Sequence, residues 1–206
     1  MSALPINVRR ITLGMIALSG LVGFGAAQQV AEAVELESLR TLEVTMPFET
    51  LDPKLAKAAA AAMLQAHLQV LESMRTSRVL TLLALTVAST LSFVVAWRML
   101  RPDGAAREDI RKLLVRSAVA CAAFRTMDGA QMTVLAKKIG AASDRVMLAS
   151  DLPGGYPAGL MAGVFGAASV FLTVVVVGGF LGMSMYFRSN GLRAWVAAAD
   201  RSGEET

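Results

Sequence analysis

Four glutamates, one histidine, one cysteine and a run of hydroxyls are the residues whose types suit chemistry. Glu32, Glu35, Glu37 and Glu43 offer carboxylates to a cation. A carboxylate metal site inside a helical bundle pairs such residues with Glu-x-x-His, a spacing absent here. On a helix the four also spread around the axis, so a solvated acidic face is expected and no metal. His67, between Leu64 and Leu71, has the one side chain that ordinarily titrates near neutrality. Alone on a leucine-bearing helix, it reads as a surface or packing residue. Cys121 stands among alanines with no histidine on its side and reads as a small hydrophobe. One Cys excludes an internal disulfide and an all-thiolate metal site within the chain, and one His excludes a bis-histidine haem. Thr86, Ser89, Thr90 and Ser92 suit a polar path, but hydrogen bonds to backbone or a neighbouring helix explain them better. No nucleophile, base and orienting group assemble on one side, so neither an enzyme nor a cofactor is expected.

The elements that hold these residues are set by where charge is missing. Of the 206 residues 55% are apolar and 17% charged, against roughly 25% charged in soluble domains. Residues 11–31, 79–97 and 152–187 carry no Asp, Glu, Lys or Arg. A soluble core does not require that segregation. A bilayer does, because a charge at its centre costs about 2.5–3.5 kcal/mol. The expected fold is therefore all-α: an integral membrane protein with three transmembrane helices, an extracytoplasmic helical hairpin and a basic cytoplasmic helical loop.

The second span is the plainest. Residues 79–97 rise about 28 Å as a helix, close to the hydrocarbon thickness, and end at Trp97 and Arg98, an aromatic belt residue beside a snorkelling cation. The third, 156–187, is too short for two crossings and reads as one tilted helix from Tyr156 to beyond Tyr186, with Pro157 in its first turn and a bend near Gly178 and Gly179. Residues 1–31 form the first span. Arg9 and Arg10 followed by an apolar run suit a signal anchor, and Gly25-Ala26-Ala27 leaves a cleavable signal peptide as the alternative. Trp97, Arg98, Tyr156, Tyr186 and Trp195 are the expected membrane-interface residues.

Between the spans, 32–78 reads as a hairpin. Leu36, Leu39, Leu42 and Met46 make one stripe, Pro47 and Pro53 interrupt and restart the helix, and the second arm can run unbroken from about residue 54 into the second span. Residues 98–155 hold ten basic and six acidic groups. Their first helix carries Ile110, Leu113, Leu114, Ser117, Cys121 and Phe124 on one side and is expected to break at Asp128-Gly129. Residues 188–206 form an interfacial tail. The six acids and the scarcity of aromatics argue against nucleic acid, leaving membrane lipids and protein helices as the expected partners. Twelve of the 20 basic residues fall on the N-terminal side of a three-span scheme, which favours a cytoplasmic N-terminus and an external C-terminus. Fifteen Arg against five Lys, with abundant Ala, suit a GC-rich bacterial genome and hence the bacterial inner membrane.

The most informative spacing is small-xxx-small: Ser19, Gly23 and Ala27 in the first span, and Gly159, Gly163, Ala167, Gly178 and Gly182 in the third. Such residues let helices approach closely in lipid, either within the chain or against another. The expected function is helix association, as a non-enzymatic accessory, assembly or scaffold subunit of a membrane complex. The alternatives are a sensor whose external hairpin moves the second span, and a small oligomeric channel or transporter component.

Overall fold

In the computed structural model, residues 5–34, 53–101, 107–149 and 156–204 are described, and every regular element among them is a helix. There are five: α1 (Ile6–Val34), α2 (Pro53–Leu100), α3 (Arg107–Leu148), α4 (Leu160–Arg188) and α5 (Asn190–Glu204). α1, α2 and α4 are long and apolar enough to cross a membrane. α1 runs on past Gln28 and Gln29 to Val34, and α2 continues without a break for 48 residues, about 72 Å. The chain fits a multi-pass membrane protein. The first hairpin arm falls mostly on residues 35–52, outside the described residues, and so do Glu35, Glu37 and Glu43.

Two sequence expectations are corrected. The helix after Arg107 does not stop at Asp128-Gly129; α3 continues to Leu148. Asp128 is fully buried in an ion pair with Arg78, and Gly129 sits where any side chain would collide with that of Thr173. Packing thus outweighs the roughly 1 kcal/mol helix penalty of the glycine. The last apolar helix begins at Leu160 rather than Tyr156. Gly159 has φ +78°, a left-handed conformation that glycine adopts freely, and it breaks the chain direction after Pro157.

The chain divides into two compact units. Among the described residues the first contains 5–29, 81–101, 107–126 and 174–204, which take in most of α1, the second half of α2, the first half of α3, the second half of α4, and α5. Its helices alternate in direction. A Cβ at Gly23 would lie 3.1 Å from Ser89, and one at Gly20 lies 3.7 Å from Phe93, so α1 and α2 are antiparallel. The pairs Gly14–Met183 and Gly179–Leu18 make α1 and α4 antiparallel as well. The Arg111 guanidinium donates to the Phe187 carbonyl at 2.6 Å, joining the start of α3 to the end of α4. The start of α1, the end of α2, the start of α3 and the end of α4 therefore share one end of this unit. Residues 107–126, expected in a cytoplasmic helical loop, here pack as a helix into the core of this unit. The amphipathic face was legible, but the sequence does not say whether lipid headgroups or other helices cover it.

Met15, Leu82, Leu85, Leu114, Phe180 and Phe187 are fully buried here. α5 lays Leu192 and Val196 into the same core, and its Asp200 carboxylate accepts the N–H groups of Arg107 and Glu108 at 3.0 and 3.2 Å. Those are free donors at a helix start, where a carboxylate also meets the favourable end of the helix dipole.

The second unit contains residues 30–34, 53–80, 127–149 and 156–173. Val70 and Leu71 of α2 meet Leu135 of α3, with Met74, Met132 and Ile139 around them. Arg75 donates to the carbonyls of Ala33 and Val34 at 3.1 and 3.0 Å, satisfying the last turn of α1. α3 and α4 come backbone to backbone at Gly140, whose added Cβ would meet the main chain of Met161 and Ala162.

Candidate functional site

The buried polar groups separate by unit. In the second unit Arg78 and Asp128 form a pair 3.5 Å apart, with side chains 5% and 0% exposed. The other Arg78 terminal nitrogen lies 2.9 Å from the Met132 sulfur. Taking both charges out of water is costly, and a buried pair is tolerated only when it is compensated. Sequence reasoning treated Asp128 as a helix breaker and assigned Arg78 no partner. Their separation of 50 residues left no local signal that they meet.

Asp144 organises the α3–α4 connection. It accepts the Tyr156 hydroxyl at 2.6 Å and the N–H groups of Met161 and Ala162 at 3.0 and 3.1 Å. Burial opposes its charge, and these three donors more than offset that, holding the carboxyl below its usual range. Tyr156, expected at a membrane edge, is thereby a partner of the cap on α4.

His67 is half-buried on α2. Burial first, then the positive Arg78, lowers its pKa, and Glu32 pulls weakly the other way. The unfolded chain therefore takes up the proton at a higher pH than the folded chain. Stability is full above about pH 6.5 and is lost as the pH falls through the folded value. Thermal unfolding between pH 7.5 and 5.5 should show a falling Tm that His67→Gln flattens. An equal slope in both proteins would refute this.

The first unit has a hydroxyl-bearing interior. Thr12, Ser19, Ser89, Ser92, Ser117, Cys121 and Ser184 are all buried. Thr12 and Ser117 bond backbone carbonyls of their own helices, and the Ser89 oxygen lies 3.8 Å from the Cys121 sulfur. Cys121 thus faces a hydroxyl rather than a base. The Ser19 and Ser92 hydroxyls are buried without a partner among the described residues. Thr86 bonds the Leu82 carbonyl and Thr90 is exposed, so the four hydroxyls of the second span do not line one path. Among the described residues no group of three or more His, Cys, Asp or Glu is placed to hold a metal.

The shared end of the first unit is basic. It carries Arg9 and Arg10 of α1, Arg98 and Arg101 of α2, Arg107, Arg111 and Lys112 of α3, and Arg188 and Arg193, against Glu108, Asp109 and Asp200. Glu108 holds Arg111 by two bonds of 2.7 and 2.6 Å. Arg101 stands over the Trp97 ring at 5.8 Å and Arg107 over Trp195 at 5.5 Å. Trp97 and Arg98 are exposed, and Trp195 is half-buried against the core. Tyr186 is half-buried and meets Phe187 edge-on at 5.7 Å.

Comparison with protein-family models, curated proteins and solved structures finds no match to this chain.

The small residues singled out by spacing fall into two sets. Ser19 and Gly23 face inward, Gly23 against Ser89, while Ala27 is exposed. On α4, Ala167 is exposed and a side chain at Gly163, Gly178 or Gly182 would meet nothing within 4 Å. Gly159 is equally open and serves the turn. The glycines that do admit close approach within the chain include Gly129, Gly140, Gly166 and Gly179. Spacing alone does not separate the two sets, because a four-residue repeat marks a helix face without saying what lies opposite.

Proposed function

We propose that this chain is a non-enzymatic, multi-pass protein of the bacterial inner membrane that works by helix association, as an accessory, assembly or scaffold subunit, with α4 as the docking helix. The carrying observation is the open glycine face. Each glycine inside a helix costs about 1 kcal/mol relative to alanine. At Gly163, Gly178 and Gly182 no contact among the described residues offsets it. Only 6% of the most apolar part of α4 is buried, and Phe171, Leu172, Val174, Val175 and Met185 are exposed around the same helix. An apolar surface of that extent suits lipid and a partner helix, not water. In lipid, small residues on an open face are what a second helix needs for close contact.

The basic end of the first unit supports a cytoplasmic assignment for that end. In this reading α1, α2 and α4 are the spans, and α3 packs against them in one bundle. The hydroxyls buried among the four helices belong to such a bundle, where polar side chains hold helices together.

Substituting Gly178 by leucine tests the docking role. The isolated protein should unfold within about 1 kcal/mol of the parent, since nothing opposes the side chain. Its complex in mild detergent should dissociate or migrate faster, with the cross-linking pattern lost. Unchanged migration and cross-linking for Gly163→Leu, Gly178→Leu and Gly182→Leu would overturn the proposal.

One observation favours a second reading. α2 is unbroken through Thr76 and Ser77, as a transducer needs if residues before the span are to move those after it. Two added glycines at this point should uncouple the two ends in a sensor and leave assembly intact in a scaffold.

A further inference from the structure

Phe93, Val94 and Trp97 line an open apolar groove of about 200 Å³ on α2. They occupy one face of the helix, and the groove continues into charge. Arg98 stands one turn beyond Val94, and Arg101 one turn beyond Trp97. The Phe93 ring rests on α1 at Gly20, where even a methyl would lie 3.7 Å from it, which fixes the floor. Stacking over the Trp97 ring fixes the Arg101 guanidinium at the mouth. Both arginines are exposed, and among the described residues neither forms an ion pair.

We propose that this groove is a binding site for an anionic phospholipid, with an acyl chain along Phe93, Val94 and Trp97 and the phosphate between Arg98 and Arg101. The assignment rests on α2 lying in a bilayer. There, the apolar run ends at Trp97, which sets the groove at acyl depth and the two cations at headgroup depth. Charge complementarity selects the occupant. Two guanidiniums without an ion pair among the described residues attract a phosphodiester, and a choline or ethanolamine headgroup would bring its own cation against them. A partner helix would have no use for the paired cations at the groove mouth, whereas a lipid engages both parts with one molecule.

The test uses the full chain, whose Trp97 and Trp195 allow Trp97 to be isolated by Trp195→Phe. The protein is reconstituted in phosphatidylcholine vesicles containing equal mole fractions of either brominated phosphatidylglycerol or brominated phosphatidylcholine. Bromine on an acyl chain quenches the indole on contact. Roughly thirtyfold stronger quenching affinity is expected for phosphatidylglycerol, from two basic residues near the surface at about 1 kcal/mol each. Arg98→Gln with Arg101→Gln should abolish that preference while leaving quenching by both lipids, and the double lysine variant should retain much of it. Equal quenching by the two lipids in the parent, or an undiminished preference in the double glutamine variant, overturns the site. Absence of quenching by either lipid also overturns it, and carbonate extraction then separates two failures. Protein retained in the membrane limits the failure to this groove, and protein released shows that the bilayer reading itself fails.

Discussion

Replacing Asp128 by alanine should lower the stability of the protein by about 3–5 kcal/mol, the usual result of removing one partner from a buried ion pair. The Arg78 guanidinium is 5% exposed and lies 3.5 Å from the Asp128 carboxylate, which is itself inaccessible. The substitution removes the charge that compensates the arginine and leaves the arginine where water cannot replace it. For a chain of this length the loss corresponds to a fall in Tm on the order of 10 °C, read from helicity in mild detergent. Alanine alone does not separate the pair from a cavity effect. The double variant Arg78→Met with Asp128→Leu does, because a buried pair replaced by apolar residues of similar volume is often neutral or stabilising. It should recover most of the loss. A single variant within 1 kcal/mol of the parent would mean that the pair is hydrated in the folded protein.

The pair also marks the limit of what could be read from the sequence. Local composition identifies apolar helices, because nineteen residues without charge have few soluble explanations, and α1, α2 and α4 were all legible in this way. The α3 face was legible too. Leu114, Ser117 and Cys121 are buried with Ile110 and Phe124 packed beside them, although Leu113 is 41% exposed. The neighbours of that face were not legible. Amphipathicity reports that one side of a helix is covered, and a membrane surface and three other helices satisfy it equally. The expected break at Asp128-Gly129 failed for a related reason. Both residues are poor in an isolated helix, and both are retained for contacts with Arg78 and Thr173 that lie far away in sequence.

The candidate site was partly legible on the same terms. Small residues at four-residue spacing identify faces, and the Gly163, Ala167, Gly178 and Gly182 face is open along α4. Gly166 stands on α4 itself, whereas Gly129 and Gly140 stand in α3, a helix whose composition gives no reason to expect a close approach. Their significance comes from α4, opposite them in the second unit.

Gly140→Ala should therefore destabilise the protein by about 2 kcal/mol, although alanine is the better helix former by about 1 kcal/mol. Its Cβ would lie 2.5 Å from the Ala162 backbone nitrogen and Cα, and 2.6 Å from the Met161 carbonyl carbon. Such contacts are relieved only by moving main chain, at the typical 1–3 kcal/mol cost of overpacking. The movement is opposed locally. The Asp144 carboxylate, one helical turn beyond Gly140, holds the N–H groups of the same Met161 and Ala162, so α4 cannot retreat from Gly140 without straining its cap. The neighbouring Gly166 offers the internal contrast, because a methyl there meets the flexible Lys137 side chain at 3.0 Å and that chain can swing aside. Gly178→Ala offers the external one, with nothing within 4 Å and an expected gain of up to about 1 kcal/mol in the isolated chain. Melting the three variants together should give a Tm lowered by roughly 4–8 °C for Gly140→Ala, little change for Gly166→Ala and no loss for Gly178→Ala. A Gly140→Ala protein as stable as the parent would show that α3 and α4 stand further apart than this backbone contact requires.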